Sequence, residues 1–123
     1  MIAVVIPFFK ETYFNFTLES LKNQTCKDFK VYIGDDSSPS NIQSLLDFYD
    51  SYISIKYVKF QSNMGGTDLA QHWNRCLDLV ENEEWIMVLG DDDFLDDDVI
   101  LDQNYYNEIE IIFLKNKNFD NRN

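Results

Sequence analysis

The stretch Ile2-Ala3-Val4-Val5-Ile6 contains no polar side chain and stops at Pro7. A strand with one solvated face alternates apolar and polar residues, so an unbroken, β-branched run needs cover on both faces, as at the centre of a parallel sheet. That segment alone calls for helices above and below it. Phe14, Leu18 and Leu21 supply the first, recurring at helical spacing up to the polar stretch 22–27. Lys30 to Gly34 reads as the second strand. Ser38 is expected to cap a second helix with Pro39 at its first position, its stripe being Ile42, Leu45, Leu46 and Tyr49. Ile53 to Phe60 interleaves β-branched and aromatic residues with Lys56 and Lys59, which predicts a strand nearer a sheet edge. After a break at Gly65-Gly66, Leu69, Trp73, Cys76, Leu77 and Val80 form the most regular helical stripe, and Trp73 and Cys76 are expected in the core. Trp85 to Leu89 predicts a fourth strand, and Tyr105, Ile109, Ile112 and Phe113 a last helix.

Strands alternating with helices imply an α/β fold, a Rossmann-like, mostly parallel sheet with helices on both faces and right-handed crossovers. One domain over residues 1–114 and a polar tail over 115–123 are expected. A chain of 123 residues, 45% hydrophobic, suffices for a single core. Charge narrows the partners. With 22 acidic residues against 10 basic ones, the net charge is −12, which argues against nucleic acid or an anionic membrane as the main partner. Met1 to Phe9 lacks a basic leader and a cleavage site and falls short of the roughly 20 apolar residues that cross a bilayer. Cys26 and Cys76, fifty residues apart, have no metal-binding spacing and read as reduced core thiols, so a cytoplasmic setting is expected. The sequons at Asn15 and Asn23 are then chance matches.

Ligands of such sheets bind beyond the carboxyl ends of the strands. Here those ends are Pro7-Phe8-Phe9-Lys10-Glu11, Asp35-Asp36-Ser37-Ser38 and Gly90-Asp91-Asp92-Asp93. Oxygen-rich sites of this kind suit a hard divalent cation, Mg²⁺ or Mn²⁺, that neutralises phosphate, and carboxylates also accept from base N–H groups or ribose hydroxyls. Between Asp91 and Glu110 there are nine acidic residues and no basic ones. Asp96 to Asp98 read as a solvated loop. Asp91 to Asp93, crowded just past a buried strand, read as a site, because a cation relieves their repulsion. An EF-hand is excluded, since the sixth position from Asp91 is Asp96 and the twelfth is Asp102.

In this order the segments resemble the inverting nucleotide-sugar glycosyltransferases of family two, which have the GT-A fold. Val4 to Lys10 is similar to that family's first strand and its Pro-Thr-Tyr-Asn turn, Leu18 to Thr25 to the helix that follows, and Val31 to Ser38 to the strand ending in paired aspartates. Asn63-Met64-Gly65, His72 to Cys76, and Trp85 to Asp93 complete the likeness up to a DXD-type metal motif. The resemblance implies a nucleotide-diphospho-sugar donor, most naturally a UDP-sugar. It places the base against Pro7 and Phe8 with Asp36 accepting from it, Asp91 on the ribose or pyrophosphate side, and the cation mainly at Asp92, with Asp93 or Asp91 assisting through water. His72 is read as structural or hydrogen-bonded at the site rim, Arg75 as either a nucleotide neighbour or a surface charge. Phe8 and Lys10 depart from the usual Thr and Asn, and Gly90 stands where many members have the motif's first Asp. Asp102, Glu108 and Glu110 follow Asp92 too closely to match the family's general base, so no catalytic base is assigned. The acceptor-binding half is expected to be missing, with self-association through the surface left uncovered. The alternatives are a non-catalytic nucleotide-binding or interaction module, and a phosphoacceptor receiver-like domain using Asp35, Asp36, Asp92 and Lys115.

Overall fold

The computed structural model describes residues 1–100 and the short strand Leu114–Lys115. In chain order the elements are β1 (Ile2–Phe8), α1 (Phe14–Lys22), β2 (Phe29–Asp35), α2 (Gln43–Asp50), β3 (Ile55–Lys59), α3 (Leu69–Leu77), β4 (Trp85–Val88) and β5 (Leu114–Lys115). The sheet order is β3-β2-β1-β4-β5. β1 pairs in parallel with β2 and β4, and β2 with β3, whereas β5 runs antiparallel to β4. The sheet is therefore mostly parallel, with the apolar first strand at its centre.

Successive β1 side chains point to opposite faces. Ile2, Val4, Ile6 and Phe8 enter a cluster with Phe14, Leu18 and Leu21 of α1 and Leu46 and Tyr49 of α2. Ala3 and Val5 enter a second cluster with Tyr32, Ile86 and Cys76 of α3. Helices thus cover both faces, each buried large apolar side chain contributing about 1.5–3 kcal/mol. α3 approaches β2 very closely at Gly34, where a Cβ would lie 2.3 Å from Cys76 Sγ. The other face is tied by Tyr49, whose hydroxyl contacts Asn15 Oδ1 at 2.8 Å and donates to Glu19 Oε2 at 2.7 Å, joining α2 to α1.

Two sequence expectations are corrected. Ser38 does not cap α2, which begins at Gln43 behind Ile42. Its N–H donates to Asp35 Oδ1 at 2.8 Å, and its hydroxyl donates to Phe9 O at 2.6 Å while accepting from Ser40 N–H at 3.1 Å, so it closes a turn ahead of the helix rather than capping it. Leu69 and Trp73 are not core: they are 57% and 40% exposed, while α3 buries His72 and Cys76. The helix expected on Tyr105, Ile109, Ile112 and Phe113 lies outside the described residues. Lys115, placed at the start of the tail, pairs with Trp85. Both cysteines are free thiols, Cys76 buried and Cys26 half-buried. Among the described residues no helix is long and apolar enough to cross a membrane.

Candidate functional site

From β1 the chain steps outward through β2 to β3, then returns across the sheet to place β4 on the other side of β1. The carboxyl ends of β1 and β4 therefore flank the point where strand order reverses, the place where such a sheet binds ligands. Proline is tolerated there for a specific reason. Val5 O accepts from Leu89 N on the β4 side and Phe8 O accepts from Asp36 N on the β2 side. By alternation Pro7 faces β4, whose pairing with β1 ends at Val88, so the missing N–H breaks no ladder bond.

Beyond Pro7 the chain is held from two directions. Asp91 Oδ2 accepts from the N–H groups of Phe9 and Lys10, both at 2.8 Å. Phe9 O accepts from the Ser38 hydroxyl, so the ends of β4, β1 and β2 are laced together. The acidic turn after β4 is compact as well. Gly90 N–H donates to Asp93 Oδ2 at 3.0 Å and Asp93 N–H to Gly90 O at 3.2 Å. A Cβ at residue 90 would lie 2.6 Å from Asp93 Oδ2, so the aspartate that the family resemblance leads one to expect there would shift the exposed Asp93 carboxylate. Asp92 receives no hydrogen bond from the described residues.

The aspartates that end β2 diverge in role. Asp35 is fully buried and accepts from Ser38 N–H and the Tyr57 hydroxyl; burial foremost, then the bond to Asp35, drive the Tyr57 pKa upward. Asp36 turns toward α3. Its Oδ1 accepts from Met64 N–H and the Arg75 guanidinium, each at 2.7 Å, and its Oδ2 from Gly65 N–H at 2.9 Å and Asn63 Nδ2 at 3.1 Å. A carboxylate has about four acceptor positions, and these donors fill them. Gly65 permits the approach, because a Cβ there would lie 2.6 Å from Asp36 Oδ2. Arg75 also stacks on Phe60 at 4.0 Å and donates from Nε to His72 Nδ1 at 3.0 Å. His72 therefore keeps an unprotonated Nδ1; burial foremost, then Arg75, hold its pKa below the ordinary value despite Asp36 at 3.5 Å. Between Asp36 and Ser38, Ser37 adopts φ 56°, the left-handed region.

Pro7, Phe8, Asp36, Asp91, Asp92 and Asp93, the residues singled out from sequence, all line one cavity of about 910 Å³. Lys10, Asn63, Gly65, His72, Leu69 and Trp73 line it too. The last two explain their own exposure: an apolar residue at helical spacing can face a ligand cavity as readily as a core. Arg75 is not a bare surface charge, being bonded to Asp36. Among the described residues no group of three His, Cys, Asp or Glu side chains could hold a metal without help.

The glycosyl transferase family 2 model matches residues 3–104, most of the chain and every residue of the cavity. The chain belongs to glycosyl transferase family 2. Its fold is shared with solved structures. TarS of S. aureus superimposes with a TM-score of 0.70 at 25% identity, covering 79% of this chain and 17% of that one. TarS 1-349 in complex with UDP gives the same score and identity over 29% of its length. Mannosyltransferase PcManGT from Pyrobaculum calidifontis, in complex with GDP-Man and Mn²⁺, matches at 0.63 and 15% identity, covering 76% of this chain and 28% of that one. The chain thus spans between 17% and 29% of the length of these relatives. No curated protein matches it in sequence. Family membership sets the receiver-like alternative aside.

Proposed function

We propose that the cavity between β1 and β4 binds a nucleotide-diphospho-sugar, in the first place a UDP-sugar, as the donor side of an inverting glycosyl transfer. One observation carries the reading: in a family 2 chain, Pro7-Phe8, Asp36 and Asp91 to Asp93, far apart in sequence, line a single cavity. The base lies against Pro7 and Phe8, and its N–H reaches the Asp36 carboxylate by displacing one of the four donors that fill it. Asp91 keeps the Phe9-Lys10 backbone in place along the ribose and diphosphate. Asp92, with Asp93 beside it, holds Mn²⁺ or Mg²⁺. The donor set fits such a cation only in part, since hard divalent ions accept one or two carboxylates when substrate phosphates supply the remaining ligands. When bound, the ion neutralises charge on the departing diphosphate. No described residue is assigned as general base. A cytoplasmic setting belongs to the same reading, because Cys26 and Cys76 stay reduced there.

Thermal unfolding with UDP, with and without Mn²⁺, tests it. Ligand at a hundredfold excess over Kd adds about 2.7 kcal/mol of stability. The Mn²⁺-dependent part is expected to vanish in Asp92→Asn and to persist in Asp96→Asn. Equal loss in both variants would mean that diffuse acidity, rather than a ligand position, is responsible.

A further inference from the structure

We propose that Lys10 is a diphosphate-binding residue, its ammonium compensating the charge that the acidic end of the cavity cannot. The inference rests on the donor reading given above. Asp36 is matched by Arg75 at 2.7 Å. Asp91, Asp92 and Asp93 form no ion pair among the described residues, so a diphosphate arriving beside them meets net negative charge. A divalent ion relieves part of this. Among the described residues that line the cavity, Lys10 is the one lysine or arginine. Its side chain is exposed and takes part in no ion pair among the described residues, although Asp91 is bonded to its own backbone. The ammonium is thus left for a ligand.

The backbone around Lys10 makes that charge usable. Its N–H is fixed by Asp91 and the preceding carbonyl by Ser38, so the side chain starts from an anchored point and only its own rotamers are lost on binding. A lysine ammonium serves phosphate as a compact point charge and needs no planar partner. The departure from the family's usual Asn at this position is then a gain of charge where the protein's own metal ligands are sparse.

Calorimetric titration of UDP and uridine, each with and without Mn²⁺, into the wild-type chain, Lys10→Met and Lys10→Arg tests the assignment. Both variants preserve the backbone N–H that Asp91 accepts, and their unfolding midpoints confirm folding. Lys10→Met is expected to weaken UDP about tenfold or more, the scale of a charge-assisted hydrogen bond, and to leave uridine unchanged. The loss is expected to be larger without Mn²⁺, and Lys10→Arg to recover most of it. UDP affinity in Lys10→Met within about twofold of wild type, or equal weakening of UDP and uridine, would overturn the inference. Wild-type chain that binds no UDP, with or without Mn²⁺, would overturn the donor reading itself, and this assignment with it.

Discussion

Asp36 and Asp91 direct their carboxylates at the chain's own N–H groups, and Asp92 alone of the three faces the cavity unengaged. The sequence shows where these residues are, because each follows an apolar strand; it cannot show which oxygens are occupied, since Asp91 is 82 residues from Phe9 and Asp36 is 39 from Arg75. Gly65 tests the Asp36 cluster. Gly65→Ala forces a Cβ toward Oδ2, and displacing two backbone donors from a buried carboxylate is expected to cost about 1–3 kcal/mol in urea unfolding and to weaken nucleotide binding. His72 gives the site a pH response. Its pKa in the folded chain lies below the ordinary value of 6.5, so the unfolded chain binds the proton more readily. The stability it contributes is complete above about pH 6.5 and falls as pH drops from there toward the folded value. Glu19 and Glu81, also lowered, titrate in a more acid range. Urea midpoints measured downward from neutral pH are expected to fall in wild type and to flatten in His72→Gln.

At the scale of elements, α3 was legible as a helix but not in its rotation. Leu69, Trp73, Cys76 and Leu77 have the spacing of a core stripe, yet the face that meets the sheet carries His72 and Cys76. Spacing reports which residues are apolar, and a ligand wall is apolar too. The start of α2 was not legible either: a Ser-Pro pair satisfies the local rule for a cap, while Ser38 closes a turn with Asp35 and Ser40 and is tied to the distant Phe9 carbonyl. What fixes α3 is the contact of Cys76 with Gly34. Burial pushes the Cys76 thiol up to about 12, so it is inert. Gly34→Ala is expected to cost about 2 kcal/mol or more through overpacking, and Cys76→Ala in the same chain to return part of it. A double-mutant cycle in urea measures that coupling; additive losses would show that α3 is not seated by this contact.

For the whole molecule, the mostly parallel sheet followed from the alternation of unbroken apolar runs with helical stripes, and β1 could be placed at its centre because only a strand covered on both faces can omit polar residues from Ile2 to Ile6. The antiparallel β5 was not legible, since Leu114–Lys115 is too short to carry a pattern. The order β3-β2-β1-β4 also dictates when the molecule becomes competent. β1, β2 and β3 can pair as the chain runs, but the hydrogen bonds from Phe9 and Lys10 to Asp91 join positions 82 and 81 apart. Loop-closure entropy must be met before such contacts repay it, so seating β4 is expected to be the slow event. In refolding from urea, helical circular dichroism is expected to recover ahead of nucleotide binding. A chain caught between those phases would have most of its secondary structure and no crevice, and a nucleotide that binds only the finished form would draw the population across that last step.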